Sequence, residues 1–114
     1  MNYNRMILVM TLLVVSLLTF AQQTHAQAVY GSVAGVVVDG TGAVVPDATV
    51  LITDVVRNTT FTVTTNSDGY YQKDRLLPGS YNIKVTKEGF KSAASNNVGV
   101  SVDTQTKNDI KLEI

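Results

Sequence analysis

Short apolar segments recur along this chain from Ser32 onward, each closed by turn-forming residues, and this punctuation constrains the fold more than any other feature. Valine and threonine dominate the segments, and no run of Ala, Leu, Glu and Lys at helical spacing interrupts them. Many short strands separated by turn signals read as an all-β sandwich or barrel. The first strand is expected at Ser32–Val38, ended by the Asp-Gly-Thr-Gly stretch 39–42. The second covers Ala48–Val55, after Pro46 has forced Val45 into an extended conformation. The third is Thr60–Thr65, closed by Asn66-Ser67-Asp68-Gly69, and the fourth is the short Tyr70–Asp74. Leu77-Pro78-Gly79-Ser80 fits a type II turn, with Pro at the second place and Gly at the third. The fifth strand, Tyr81–Thr86, puts Tyr81, Ile83 and Val85 on one face and Asn82 and Lys84 on the other, so one face is buried and one is wet. Val98–Val102 and Lys107–Ile114 complete a seven-stranded sandwich.

The first residues do not share this pattern. Met1 to Arg5 carry one positive charge, and Met6 to Phe20 is an apolar run broken only by Thr11, Ser16 and Thr19. AQQTHAQA follows, with small-x-small sites ending at Ala26 and at Ala28. A charged start, an apolar stretch and small residues at a cleavage site are the three parts of a secretory signal. Fifteen residues of helix rise about 22 Å, less than the ~30 Å hydrocarbon core, which favours cleavage over anchoring. The expected division is therefore a signal peptide at residues 1–26, with cleavage after Ala28 as the alternative, and a domain at residues 29–114. An exported location follows: periplasmic, outer-membrane-associated or extracellular.

The domain's charge is close to balanced, eight Lys and Arg remaining against nine Asp and Glu once Arg5 is removed. No basic stripe is left for a phosphate backbone, so nucleic acid is not an expected partner. The sequence has no cysteine, which rules out disulfides and thiol chemistry. Packing alone must hold it together, in a domain small enough to bury only about 60–65% of its unfolded surface.

The segments GSVAGVVVDGTGAVVPDATV (31–50), TTNSDGYY (64–71), LLPGSYNIKV (76–85) and EGFK (88–91), in this order and spacing, resemble the carboxypeptidase regulatory-like domain. The resemblance covers Gly31–Ile114 and is nearest to the copies at the N-termini of bacterial TonB-dependent outer-membrane receptors. It implies a Greek-key β-sandwich of the prealbumin (transthyretin) type, with Tyr71, Leu76, Tyr81 and Phe90 at the family's large core positions. Gly35, inside a strand, marks close packing or a bulge. Two residues depart from the pattern. Lys73 stands where an apolar or aromatic residue is usual, so the fourth strand is expected to fray; Leu77 replaces a common proline. The first strand lacks the lysine that related Gram-positive surface domains use in an isopeptide cross-link. The resemblance implies a non-catalytic accessory module whose partner is another protein or a receptor barrel. The membrane is then reached only indirectly, through an outer-membrane partner. Neither a zinc peptidase unit nor a barrel lies within these residues.

The chemical inventory points the same way. His25 is the one histidine, in the segment expected to be removed. A catalytic zinc site would need carboxylates alone, and the aspartates are scattered beside turns, so no metal, cofactor or catalytic residue is expected. Serines have no evident activator. Carbohydrate is the alternative ligand, on a sandwich of the starch-binding type, because sugars stack on exposed rings. Tyr70, on the opposite face from Tyr71, and Tyr30, ahead of the first strand, are the candidate stacking residues; Phe61, Tyr71, Tyr81 and Phe90 are assigned to the core. A docking face is a further candidate. If Val33, Gly35 and Val37 face inward, then Ala34, Val36 and Val38 face outward, and Leu51 breaks the polar alternation of the second strand in the same way. Val36, Val38 and Leu51 are the candidate docking residues, the competing reading being a central strand covered by a loop.

Overall fold

A computed structural model describes residues 2–20 and 29–114. The expected cleavage sites and His25 lie outside the described residues. Helix α1 spans Tyr3–Phe20, and apolar side chains from Met6 to Leu17 are exposed all round it, with no amphipathic face. No described helix is long and apolar enough to cross a membrane.

The rest is a two-layer sandwich of eight strands: β1 (Gly31–Val38), β2 (Thr49–Asp54), β3 (Thr60–Thr64), β4 (Tyr70–Leu76), β5 (Gly79–Thr86), β6 (Ala93–Val100), β7 (Gln105–Lys107) and β8 (Ile110–Lys111). One sheet has the order β4-β1-β7, with β8 also paired to β1; the other runs β3-β2-β5-β6. The sequence-based count of seven becomes eight because the expected last strand is two short ones. Both run parallel to β1, the first against Ser32–Ala34 and the second against Val37–Val38.

The break between them has a local cause. The amide of Asn108 donates to Ala34 O and that of Leu112 to Val38 O, both at 2.8 Å, so the backbone ladder resumes after a gap. Inside the gap the Val36 amide has the Asp109 carboxylate as its acceptor, Oδ1 at 2.9 Å. The Asn108 backbone also dips over Gly35: an added Cβ there would stand 1.9 Å from Asn108 O. Only glycine fits. Tyr71 closes the same corner, its hydroxyl donating to Asn108 O at 2.5 Å.

The core lies between the sheets. Val33, Val37, Tyr71, Leu76, Ile110 and Leu112 from one layer meet Val50, Ile52, Tyr81, Ile83, Val85 and Val100 from the other. Period-two alternation accounts for most of this set. Burying a large aromatic or branched aliphatic side chain contributes roughly 1.5–3 kcal/mol. Phe61 and Phe90, expected in the core, pack on its margin instead. Ile114 is 90% exposed, because the alternation ends with Leu112. Among the described residues two side chains bury a hydroxyl or carboxylate besides the tyrosines, Asp54 and Thr65; the Thr65 hydroxyl donates to Val45 O and accepts from the Ala48 amide, both at 2.8 Å.

Three local expectations are corrected. Strand β4 does not fray at Lys73; it continues to Leu76, with the Lys73 ammonium seated 4.8 Å from the Phe61 ring centre. The sixth strand lies earlier than expected, because Ala93–Val100 pairs with β5 while Val102 stays outside the sheet. Leu77–Ser80 is not a type II turn, since Gly79 has φ +156°, far from the +80° of that turn, and already begins β5. The corner is held by the Tyr81 hydroxyl, which donates to Leu77 O at 2.6 Å.

Candidate functional site

Two surfaces collect the candidate side chains. The first is the outer face of the β4-β1-β7 sheet. Antiparallel register places Tyr70 beside Val36 and Gln72 beside Ala34, and the parallel strand sets Lys107 on the other side of Ala34. Tyr70 Oη donates to Gln72 Oε1 at 2.9 Å, and Gln72 Nε2 donates to Asp74 Oδ1 at 2.7 Å, a polar ladder along β4. Next to it a shallow depression of about 170 Å³ is lined by Ala34, Val36, Tyr70, Lys107 and Asp109, among others. The structure thus joins the candidate ring Tyr70 to the candidate docking residue Val36, which the sequence reading had kept apart.

The other docking residues are not brought together. Val38 lies further along the same strand, half-buried, opposite Lys111 and bridged to Val44. Leu51 is on β2 in the second sheet, between Thr62 and Lys84, on the opposite outer face of the sandwich. A single face made of Val36, Val38 and Leu51 does not form. Ala34 points outward as expected yet is only 5% exposed, because β4 and β7 flank it.

The second surface is a cleft of about 200 Å³ lined by residues of both sheets, among them Tyr30, Asp54, Arg57, Phe61, Arg75 and Leu77. Tyr30 is 39% exposed, but the guanidinium of Arg75 lies over its ring, 5.3 Å from the centre. That face is therefore occupied by a cation. Asp54, at the end of β2, is buried and fully engaged: Oδ1 accepts the amides of Val56 and Arg57, both at 3.0 Å, and Oδ2 accepts Arg57 Nη1 at 2.8 Å. The Arg57 amide and guanidinium hold its carboxyl below the usual carboxylate range, against a smaller opposing effect of burial. Tyr81, at the inner end of the cleft, has its phenol pushed upward by burial first and by the Asp54 charge second.

Arg57 and Arg75 were not singled out from the sequence. Arg75 occupies a β-bulge, between the register pairs Gly31–Leu76 and Val33–Lys73, and has φ +58°. Such a conformation costs a non-glycine residue about 1–2 kcal/mol and is invisible in a residue list. The unexpected lysine at position 73 was the one available signal. Among the described residues, no three His, Cys, Asp or Glu side chains come together.

Two sheets around an aliphatic and tyrosine core, carrying surface clefts but no group of three His, Cys, Asp or Glu side chains among the described residues, define a prealbumin-type β-sandwich module. The family model for the carboxypeptidase regulatory-like domain matches residues 32–113, and the chain belongs to that family. No curated protein matches it by sequence. Among solved structures it is similar to the Bacillus anthracis TIE protein, at TM-score 0.64 and 19% identity over 74% of this chain and 16% of that one. It is also similar to a candidate carbohydrate-binding protein from Bacteroides uniformis, at TM-score 0.58 and 17% identity, covering 71% of this chain and 40% of the other. A third is hydroxyquinol 1,2-dioxygenase from Pseudomonas putida, at TM-score 0.61 and 11% identity, covering 80% and 58%. The chain spans about a sixth of the first and less than two thirds of the others. At such identities the likeness is one of fold, and one fold hosts unrelated functions.

Proposed function

We propose that this chain is an exported, non-catalytic interaction module that docks against a protein partner, as the resembling N-terminal extensions of TonB-dependent receptors would. The carrying observation is the family match over the whole sandwich, from residue 32 to 113. On that sandwich the outer face of β4-β1-β7 presents half-buried Tyr70 beside Val36, and aromatic side chains such as Tyr70 are enriched at interface cores. The Met6–Phe20 run and the small-x-small sites at Ala26 and Ala28 support export. A mature N-terminus at Gln27 or Val29 is expected in the exported protein, and an intact Met1 in that fraction contradicts export with cleavage. A reproducible hydrolytic rate of the purified protein, abolished by one side-chain substitution, refutes the non-catalytic reading.

Carbohydrate binding is the second reading, favoured by one observation. Tyr70 offers a partly exposed ring flanked by hydrogen-bonding Gln72 and Asp74, a stacking platform with polar neighbours for sugar hydroxyls. The fold likeness to the Bacteroides candidate is in keeping with it. A glycan array read against Tyr70→Ala separates the two. Binding lost with the ring selects carbohydrate; no binding, or binding indifferent to the substitution, removes it.

A further inference from the structure

The cleft below Tyr30 has a charge arrangement that neither reading uses. Arg57 and Arg75 both line it, while its one carboxylate, Asp54, has both oxygens engaged by the Val56–Arg57 segment. Among the described residues the Arg57 guanidinium donates from a single nitrogen, Nη1, to Asp54 Oδ2 at 2.8 Å and to Pro78 O at 3.5 Å. Its other donors have no acceptor among the described residues. Arg75 has no ion pair or hydrogen bond from its guanidinium among the described residues, only the Tyr30 ring beneath it. Lys73, over the ring of the lining residue Phe61, likewise has no ion pair among the described residues.

Aromatic rings thus hold two of the cations in place without neutralising them. Local folding reinforces the arrangement. The bulge and the left-handed backbone at Arg75 re-aim a side chain that regular alternation would direct elsewhere, and such bulges and strained residues gather at functional sites. Beside the arginines the lining includes the apolar side chains of Phe61 and Leu77, with Thr59 and Tyr81. Guanidinium donors recognise carboxylates through paired hydrogen bonds, more strongly than neutral donors do. A volume of about 200 Å³ falls below the usual ~300–1,000 Å³ of drug-sized ligand sites, so the occupant is one ring or one terminal group.

We propose that this cleft binds a small carboxylate borne on an apolar body, the anion between Arg57 and Arg75 and the body against Phe61 and Leu77. One face each of Tyr30 and Phe61 is taken by a cation, so the charge of the ligand rather than stacking on those faces sets the specificity.

The test is a titration of the full chain with benzoate, followed by shifts of the Tyr30, Phe61 and Tyr81 ring resonances, with benzamide as the neutral isostere. Saturable benzoate binding is expected, with at least tenfold weaker response to benzamide. Arg75→Gln should weaken benzoate by tenfold or more with an unchanged urea midpoint, whereas Lys84→Gln, on the outer face of the other sheet, should not. Because Arg57→Gln removes a partner of buried Asp54, Arg75→Gln is the deciding variant. Two further arms identify the natural carrier of the group: a peptide ending in free Phe against its amide, and a short fatty acid, hexanoate, against hexanamide. A preference for either free acid, lost in Arg75→Gln, supports the site and names the carrier. Equal binding of acids and neutral forms, no binding of any acid, or benzoate binding indifferent to Arg75→Gln overturns it.

Discussion

The two sheets of this sandwich are built by different means. In β3-β2-β5-β6 every pairing is antiparallel and β2 meets both neighbours without a register shift, the irregularity being confined to the β5–β6 edge between Tyr81 and Ile83. Its inward residues Val50, Ile52, Tyr81, Ile83 and Val85 follow from strict alternation. In β4-β1-β7 the central strand makes one antiparallel contact interrupted by a bulge and two brief parallel ones. Its continuity depends on particular devices: a glycine under a carbonyl, a tyrosine hydroxyl on that same carbonyl, and an aspartate standing in for a missing backbone acceptor. A regular sheet distributes its stability over equivalent positions. An irregular one concentrates it in a few contacts, and so has distinctive points of failure.

The largest effects should come from the tyrosine of each layer. Tyr81→Ala and Tyr71→Ala each remove a fully buried ring and are expected to cost about 3–5 kcal/mol. In a domain with about 5–10 kcal/mol of total stability, either leaves a substantial unfolded fraction at 37 °C. Urea midpoints decide this, and a loss under about 1 kcal/mol would place that ring outside the core. Next comes a pair of glycines. Gly35→Ala collides with the Asn108 backbone and is expected to cost about 3 kcal/mol, the upper part of the overpacking range, because the obstacle is main chain. Gly99→Ala, in β6 of the regular sheet, meets nothing within 4 Å and should be neutral or stabilising by about 0.4–1 kcal/mol. Equal losses at the two positions would erase the contrast between the sheets.

Asp109→Ala removes the acceptor of the Val36 amide and should cost about 1 kcal/mol, with faster amide exchange at Val36 as its specific sign. If exchange there is unchanged, the carboxylate is not bridging the ladder.

The smallest effects concern pH, and their signs differ at the two ends of the range. Asp54 is held below its unfolded value by Arg57, and Asp39 is held below its own by the Thr41 hydroxyl and amide. Their contribution is complete above about pH 4 and is lost as pH falls through the lower folded values. Tyr71 and Tyr81 are raised by burial, so their contribution is complete below about pH 10 and is lost as pH rises through the higher folded values. Urea midpoints across the pH range should therefore show a plateau between these limits. Asp54→Ala should flatten the part of the acid limb that Asp39 does not supply, and should weaken the alkaline limb by removing the charge that helps raise Tyr81.

How far the sequence could be read follows the same division between the sheets. The Tyr81–Thr86 alternation placed β5 and its buried face correctly, since one wet and one dry face leave a period-two imprint on the residues themselves. Asn66–Gly69 was legible as a turn, because Asn66 Oδ1 binds the amides of Asp68 and Tyr70 locally and Gly69 supplies φ +71°. Lys107–Ile114 read as one strand because Ile110 and Leu112 alternate properly. Nothing in those residues reports that Asn108 must bend over Gly35. Gly79 misled for a related reason: Pro-Gly is turn chemistry in isolation, and here the Tyr81–Leu77 hydrogen bond sets the corner instead.

The candidate sites were the least legible. Tyr70 and Val36 are far apart in the chain and become neighbours only through the β1–β4 register, while Leu51 leaves their company because β2 belongs to the other layer. The residues alone determined the all-β class, the inward faces of the regular strands, the turn at Asn66–Gly69 and the family, because each is written in local period and turn chemistry. Tertiary structure decided which outward residues share a face, the bulge that turns Arg75 over Tyr30, and the cleft that Arg57 and Arg75 line from different layers. Those depend on register and on close approach between distant segments, and neither leaves a mark on the local sequence.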